Sequence, residues 1–334
     1  MKALFIGGTG TISSAVSELA VKQGVELTLL TRSGTGGPEG AEMLKGNIED
    51  IDQIVSLLRG RTFDVVADFV AFTPEQAARD IELFHDKTEQ YIYISSASAY
   101  QKPVTNYLIT ESTPLYNPYW QYSRDKIACE DLLMTAYRVS GFPVTIVRPS
   151  HTYGDRSVPV AIHGNKGSWQ VLARLLEGKP VIVHGDGLSL WTFTHNTDFA
   201  KGFTGLMGNP HAIGQAVHIT SDESLTWNAA FDAIGKALGV KPNLTHISSD
   251  LLAAFRPDLL GTLLGDKAHS VVFDNTKLKR LVPDYCATTR FDQGVKRTVE
   301  YVLSHPEYQT PDPDFDAWCD KTIAAYSSCI LNFC

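Results

Sequence analysis

The sequence lacks the features that mark membrane, metal-binding and nucleic-acid-binding proteins. No apolar run reaches the length of about 18 residues that a membrane-spanning helix needs, and the first apolar run is too short for a signal peptide. The five cysteines have no paired CxxC spacing, so we expect reduced thiols and no metal site. Lys and Arg number 29 against 37 Asp and Glu, and the net charge of −8 disfavours nucleic acid as a partner. We therefore expect a soluble cytoplasmic protein.

A glycine turn between a strand and a helix opens the chain. Residues 2–6 are a short apolar run that predicts a buried strand, and Gly7, Gly8 and Gly10 follow at once. Apolar residues then recur at helical spacing, and a second strand is predicted at residues 25–30. Glycines in this context let the backbone approach a pyrophosphate at the helix N-terminus. The spacing G-x-x-G-x-x-S, with the small Ser13 in place of a third glycine, therefore predicts a dinucleotide site; the alternative is an ordinary strand-to-helix turn.

Strands and helices alternate up to about residue 150. Further strands are predicted at 43–45, 64–68, 90–94 and 144–147, with helices at 50–58, 74–85 and 117–137. This order predicts an α/β fold of the Rossmann type, a doubly wound parallel sheet. Later elements are more scattered, with helices at 227–238 and 291–303. We expect a dinucleotide-binding domain at residues 1–155, with returning segments around 190–220, and a smaller C-terminal substrate-binding lobe formed mainly by residues 156–334.

Tyr122 and Lys126 form the most informative pair in the chain. Residues four apart lie on the same face of a helix, so the phenol and the ammonium can act on one substrate hydroxyl. The ammonium is expected to lower the pKa of the phenol, which could then exchange a proton near neutral pH. The spacing alone is a weak signal, and the alternative is a half-buried Tyr beside a solvated Lys.

Other polar segments follow predicted strands. Ser95-Ser96-Ala97-Ser98-Ala99-Tyr100 comes directly after the strand at 90–94, and a turn at residues 148–154 follows the next one. In open α/β sheets, ligands bind outside the carboxyl ends of the strands. We therefore expect these segments to border the same site, although serines also commonly end strands without any such role.

Together these motifs resemble one enzyme family in their order and spacing. The glycine turn, Ser-Ser-x-x-x-Tyr, Tyr-x-x-x-Lys and Arg-Pro-x-x-x-Tyr-Gly resemble the extended and atypical short-chain dehydrogenases/reductases, often called NAD-dependent epimerases/dehydratases, over roughly residues 1–300. The resemblance implies an NAD(P)-dependent oxidoreductase or epimerase, an isomerase, that acts on a sugar or polyol hydroxyl or ketone by hydride transfer. It also implies a homodimer, which is common in the family.

The resemblance assigns roles by position. Tyr122 would be the catalytic acid/base, Lys126 would bind the nicotinamide ribose, and Ser96 would polarise the reacting carbonyl or alcohol. The positions that would contact the cofactor, besides Tyr122 and Lys126, are Gly7, Thr9, Gly10, Thr11, Ile12, Arg32, Asn47, Ile48, Val70, Ala71, Pro149 and His151. The positions that would contact the substrate are Ser96, Ser98, His151 and Trp191.

The end of the second strand bears on the choice of cofactor. NAD-binding sites usually carry an acidic residue there, which accepts a hydrogen bond from the ribose 2′-hydroxyl. This sequence has no acidic residue at that place and has Arg32 instead. A guanidinium can pair with the 2′-phosphate of NADP. We therefore favour NADP(H) over NAD(H); the alternative is that Arg32 stacks on the adenine without selectivity.

Departures from the family pattern narrow the substrate. Trp191 stands where nucleotide-sugar enzymes carry an Arg for the diphosphate, and a Trp can stack on a sugar face but cannot replace a guanidinium. Ala97 and Ser98 replace the Asp-Glu of the dehydratase subgroup, which disfavours water elimination. The atypical subgroup that looks most similar also includes proteins described as RNA-binding. An alternative function is therefore a cofactor-binding RNA-binding or sensor protein with little turnover.

Overall fold

The computed structural model describes residues 1–331, and its elements follow in chain order. The strands are β1 (Lys2–Ile6), β2 (Glu26–Thr31), β3 (Glu42–Lys45), β4 (Phe63–Asp68), β5 (Thr88–Ile94), β6 (Leu108–Ile109), β7 (Val144–Pro149), β8 (His151–Tyr153), β9 (Val181–His184), β10 (Leu190–Trp191), β11 (Phe193–His195), β12 (Ala216–Ile219), β13 (Leu225–Thr226), β14 (Leu244–Ile247) and β15 (Val272–Phe273). The helices are α1 (Thr11–Lys22), α2 (Ile51–Leu57), α3 (Pro74–Phe84), α4 (Gln121–Ser140), α5 (Trp169–Leu176), α6 (Asn196–Leu206), α7 (Trp227–Leu238), α8 (Ser249–Phe255), α9 (Leu259–Thr262), α10 (Thr276–Leu281), α11 (Phe291–Ser304) and α12 (Pro313–Leu331). A π-helical turn at Leu263–Lys267 continues directly from α9.

A seven-stranded parallel sheet organises the first two thirds of the chain. Its order is β3-β2-β1-β4-β5-β7-β12, and every neighbouring pair is parallel. The direction of strand succession reverses between β1 and β4, where a crevice opens at the carboxyl ends of the strands. The predicted Rossmann-type fold is therefore confirmed, and the crevice is the expected place for a ligand.

Alternate side chains of the same strands supply two cores, one on each face of the sheet. On one face, Phe5 and Leu29 pack with Val16 of α1 and Phe203 of α6. On the other face, strand residues pack against the helices α2, α3 and α4. The strand residues are Leu4, Ile6, Leu30 and Val66, and the helix residues are Ile54, Ala77, Phe84, Cys129 and Leu133. Both faces are covered because a parallel sheet needs helices on each side.

The helix that carries Tyr122 begins later than the sequence predicts. We expected it over residues 117–137, but α4 runs from Gln121 to Ser140. Asn117 accepts a hydrogen bond from the Tyr119 backbone at 3.1 Å, and Pro118 follows it, so this segment forms a turn. The helix ends at Gly141, whose φ of 73° is the left-handed conformation that glycine adopts at helix ends. Tyr122 therefore lies in the first turn of α4.

Residues of the second half surround another apolar core. It includes Phe193, Trp227, Phe291 and Val299, and it also takes in Trp191 from β10. The strand β12 and the helix α6 return to the main sheet, where β12 pairs with β7 and α6 packs on α1. The division of the chain at residue 155 stays a prediction.

Two further features of residues 1–331 bear on the expectations from composition. None of the helices there is long and apolar enough to cross a membrane. Among the side chains of residues 1–328, no three His, Cys, Asp or Glu gather as metal ligands would. Cys129, Cys286 and Cys319 are free thiols.

Candidate active site

The glycine turn lies at the crevice and is packed too closely for larger residues. Gly7 and Gly8 have φ values of 97° and 101°, which side chains rarely allow. A Cβ at Gly7 would lie 3.1 Å from Val70 Cγ1, and one at Gly8 would lie 2.7 Å from Leu29 Cδ2. The turn therefore needs glycine at both positions, and its backbone is open to the crevice as a pyrophosphate site requires.

Ser13 fills the place of the usual third glycine by a specific contact. Its hydroxyl accepts a hydrogen bond from the Gly10 backbone at 2.9 Å, and the side chain is buried. Nearby, the Ser17 hydroxyl donates to the Gly8 carbonyl at 3.0 Å. The two serines fix the turn against α1, whose N-terminal backbone N–H groups and dipole favour an anion.

A cavity of about 530 Å³ lies beside this turn. Six of the positions assigned to the cofactor line it, namely Gly7, Thr9, Arg32, Asn47, Ile48 and Val70. Arg32 is exposed and has no hydrogen bond or ion pair to any residue of the described part. The turn, the cavity and the helix terminus together fit the adenosine and pyrophosphate of a nicotinamide dinucleotide.

Asp68 shapes the segment that follows β4. Its Oδ1 accepts hydrogen bonds from the backbone N–H groups of Val70 at 2.5 Å and Ala71 at 2.7 Å. The carbonyl of Ala71 then accepts from Lys126 Nζ at 2.7 Å. Ala71 therefore acts on the site through its backbone and lines neither the cavity beside the turn nor the one described below.

Lys126 ties α4 to the sheet. Besides Ala71, its ammonium donates to the Ile94 carbonyl at 2.7 Å, and the side chain is only 2% exposed. Burial lowers its pKa from 10.5 to about 8. Lys126 Nζ lies 5.9 Å from the centroid of the Tyr122 ring, so the predicted placement on one face is confirmed.

Tyr122 is half-buried beside Ser96, and its acidity differs from the prediction. Burial raises the pKa of Tyr122; the Ser96 hydroxyl partly offsets this, and the carboxylate of Asp266 adds to the rise. The expected lowering by Lys126 is therefore wrong for this arrangement. The reason is that burial of the phenol has the largest effect, while the ammonium of Lys126 directs N–H groups to the carbonyls of Ala71 and Ile94. Tyr122 is a protonated phenol at neutral pH.

The strand-end serines form a hydrogen-bonded chain that leads to Tyr122. Ser123 Oγ donates to Ser98 Oγ at 2.8 Å, and Ser98 Oγ lies 2.8 Å from Ser96 Oγ. Ser123 is the residue after Tyr122 in α4, so helix and strand end are joined directly. The sequence analysis missed Ser123, although its place beside the Tyr-x-x-x-Lys motif is a usable signal.

A second cavity of about 260 Å³ lies beside Tyr122 and the strand-end serines. It is lined by seven of the assigned positions, namely Ile12, Ser96, Ser98, Tyr122, Pro149, His151 and Trp191. Desolvation lowers the pKa of His151 to about 3, and Lys267 and His163 act in the same direction, so the imidazole is neutral. The indole N–H of Trp191 is buried and has no hydrogen-bond partner in residues 1–331. Both side chains therefore offer uncharged polar atoms at this cavity.

Several residues of this cavity had no signal in the sequence. Lys102, Asp266 and Lys267 line it, and the last two belong to the π-helical turn far along the chain. Asn117 holds that turn in place, since its Nδ2 donates to Gly265 O at 2.7 Å and to Ser98 O at 2.9 Å. Contact between segments so distant in sequence could not be inferred from spacing.

Other candidates lie away from both cavities. Gly10, Thr11 and Lys126 line neither of them, and Thr11 instead borders a separate surface depression. His195 caps α6, where its Nδ1 lies 2.8 Å from Thr197 Oγ1. Four polar residues of the second half do not line the cavity of Tyr122, namely His163, Asn165, Lys166 and His195.

Comparison with known proteins agrees with these features. The model of the NAD dependent epimerase/dehydratase family matches residues 81–220. The chain is 29% identical over 261 residues to the chloroplast stem-loop binding protein of 41 kDa b from Arabidopsis thaliana. The match covers 73% of this chain and 65% of that protein. It is 25% identical over 290 residues to the 2′-dehydrokanamycin reductase of Streptomyces kanamyceticus, with 85% of this chain and 80% of that enzyme covered.

The fold is also that of a solved epimerase. The structure of UDP-glucuronic acid 4-epimerase from Bacillus cereus, in complex with UDP-glucuronic acid and NAD, matches with a TM-score of 0.73 at 18% identity. The match covers 91% of this chain and 99% of that one. At this identity the likeness concerns the fold, whereas the family match and the motifs confirm the resemblance drawn from the sequence.

Proposed function

We propose that this chain is a member of the NAD-dependent epimerase/dehydratase family and that it is an NAD(P)-dependent oxidoreductase or epimerase acting on a hydroxyl or ketone of a sugar or polyol. The observation that carries the proposal is the meeting of Tyr122 and Ser96 in one cavity with Ile12 and Pro149. That cavity adjoins the glycine turn at the switch point of the sheet, where a bound nicotinamide would donate or accept the hydride.

Tyr122 and Ser96 would handle the substrate oxygen. The raised pKa of Tyr122 keeps its phenol protonated, so it suits the role of the acid that gives a proton to a carbonyl oxygen as the alcohol forms. In the opposite direction the phenolate takes the proton of the alcohol. Ser96 would hold the same oxygen by a hydrogen bond, supported from behind by Ser98 and Ser123.

Lys126 would join the cofactor to this centre. Two of its three N–H donors are engaged by Ala71 and Ile94, which leaves one for a ribose hydroxyl. Arg32, without a partner at the edge of the larger cavity, supports a preference for NADP(H) through a 2′-phosphate. The Bacillus cereus epimerase was solved with NAD, so this preference needs a direct test.

A sugar or polyol suits the remaining lining of the smaller cavity. The unpartnered indole N–H of Trp191 and the neutral His151 offer hydrogen bonds to hydroxyl groups, and the indole also presents an apolar face. The absence of an Asp-Glu pair at Ala97 and Ser98 leaves water elimination without its acid/base groups. The homodimer and the cytoplasmic location expected from the sequence stay predictions.

The proposal is tested by replacing the phenol alone. In Tyr122→Phe, kcat for ketone reduction or alcohol oxidation should fall about 10²- to 10⁴-fold, while cofactor affinity is kept, because only the proton-transfer group is removed. The assay follows cofactor absorbance against free, acidic and nucleotide-linked sugars. Tyr107→Phe, at a side chain that is 62% exposed, is the control. Turnover that survives in Tyr122→Phe would refute the assigned role.

A second function is favoured by one comparison. The stem-loop binding protein of Arabidopsis thaliana is similar over 73% of this chain, so RNA binding with little turnover is the alternative. The net charge of −8 opposes it. Fluorescence anisotropy with a labelled stem-loop RNA separates the two functions: tight, salt-dependent binding without turnover of any sugar would favour the alternative.

A further inference from the structure

Lys102 is a buried ammonium that lines the cavity of Tyr122. Its side chain is 1% exposed, which places it among the most deeply buried large side chains. Among the described side chains and backbone groups its Nζ has no hydrogen-bond or ion-pair partner, although its backbone N–H donates to the Tyr116 carbonyl at 2.8 Å. A charge that is buried without a partner destabilises the protein, because burial removes its hydration and nothing replaces it. The cavity is the direction from which a counter-charge can come.

The charges around Lys102 do not neutralise the cavity. Asp266 favours the protonated form of Lys102, but Lys267 opposes it, and burial is the largest influence on its lowered pKa. Asp266 is itself paired with Lys267 at 3.1 Å. Burial lowers the pKa of His269, and Lys102 lowers it further, so this imidazole adds no positive charge at neutral pH. With two lysines and one aspartate, and with His151 neutral, the lining of the cavity has an excess of one positive charge.

The size of the cavity limits the ligand that would supply the missing charge. Its volume of about 260 Å³ is below the range of about 300–1,000 Å³ typical of sites for drug-sized ligands. This volume suits one sugar ring or a short polyol with a compact acid group. Because Lys102 shares the cavity with Ser96 and Tyr122, the acid group would belong to the reacting molecule itself.

We propose that the substrate carries an anionic group, a carboxylate or a phosphate ester, which Lys102 binds in the cavity of Tyr122. The inference rests on the proposed function, since it concerns the substrate of that site. Lys102 thereby selects an acidic sugar or polyol over its neutral counterpart. Lys267, held between Asp266 and the Trp191 ring, adds to the positive field without pairing with the ligand.

The experiment compares Lys102→Met with Lys277→Met. Lys277 is a second lysine whose pKa burial lowers; it donates to the Ala216 carbonyl at 2.8 Å and lies outside the cavity. Glucuronate, glucose 6-phosphate and glucose are titrated calorimetrically into the cofactor-loaded protein, and inorganic phosphate is titrated separately. We expect one or both acidic sugars to bind at least about tenfold more tightly than glucose, and Lys102→Met to remove that difference. Whichever acidic sugar shows the effect identifies the carboxylate or the phosphate as the group.

Stability and turnover separate this proposal from a structural role and from failure of the proposed function. Without ligand, Lys102→Met should be at least as stable as the natural protein in urea unfolding, because it removes an unpaired buried charge. Lys277→Met should keep the anion preference. Acid binding that depends on Lys102 without turnover of any sugar would contradict the enzyme function and leave the inference standing. Turnover of neutral sugars, unchanged in Lys102→Met, would overturn the inference and leave the enzyme function standing.

Discussion

A buried ion pair between Glu130 and Arg148 connects α4 to β7, and its contribution to the free energy of unfolding can be predicted from the structure. Glu130 of α4 and Arg148 of β7 are 3% and 4% exposed. Arg148 donates to Glu130 through Nε at 2.9 Å and through Nη2 at 2.5 Å, and the Ser95 hydroxyl donates to the same carboxylate. The pair therefore connects the helix of Tyr122 to the strand ends that carry Ser95 and the neighbouring Ser96.

Glu130→Gln keeps the shape of this contact and removes its charge. The amide oxygen of the glutamine can still accept a hydrogen bond from Arg148. Its NH₂ group, however, is a hydrogen-bond donor that faces the N–H donors of the guanidinium, so no hydrogen bond forms there. Arg148 then has no counter-ion among the described residues, and its face-on contact with the Tyr100 ring, 4.8 Å from the centroid, does not replace a carboxylate. Loss of one partner of a buried pair lowers the free energy of unfolding by about 3–5 kcal/mol.

Urea unfolding, followed by tryptophan fluorescence, measures this loss. Glu300→Gln is the control, because its ion pair with Lys296 spans 3.7 Å between side chains that are 60% and 65% exposed. Such exposed pairs contribute about 0–1 kcal/mol. At urea concentrations where Glu130→Gln is still folded, its turnover should also fall. The reason is that Ser95, which precedes Ser96, loses its hydrogen bond to the Glu130 carboxylate. The reasoning is refuted if the two variants unfold within about 1 kcal/mol of each other.

Two further predictions concern the cofactor site and pH. Arg32→Ala should weaken NADPH binding about tenfold or more and leave NADH binding nearly unchanged, with the exposed Arg59→Ala as control; an equal loss for both cofactors would show that Arg32 does not select the 2′-phosphate. Lys126, whose folded pKa of about 8 lies below its ordinary 10.5, binds fewer protons in the folded than in the unfolded state between these pH values, so its contribution to stability rises with pH by up to about 3 kcal/mol. Lys126→Met should lack this rise in unfolding free energy between pH 8 and 10.5, and parallel profiles for the two proteins would contradict it.

The parts of the site that depend on local chain geometry could be predicted. Gly7 and Gly8 were identified because a strand, a turn and a helix follow within a short stretch, and their positive φ values bear this out. Tyr122 and Lys126 were identified because helical spacing places them on one face. The start of α4 was predicted four residues too early, since the turn around Asn117 depends on hydrogen bonds to Ser98 and Gly265 that the local sequence does not reveal.

The acidity of Tyr122 shows why spacing cannot give a pKa. The sequence contains the ammonium of Lys126 but not its partners, and the structure directs that ammonium to the carbonyls of Ala71 and Ile94. Burial of the phenol and the approach of Asp266 raise its pKa instead. Desolvation is a property of everything packed around a group, so it is fixed only when the fold is complete.

By itself, the sequence determined the alternation of strands and helices, the glycine turn and the helical spacing of Tyr122 and Lys126, because each depends on residues close together in the chain. Only the tertiary structure brought the π-helical turn with Asp266 and Lys267 over the strand-end serines and buried Lys102 beside them. Charges from segments more than a hundred residues apart meet there because packing places them together, and no local pattern marks which of the chain's charged residues will line the cavity.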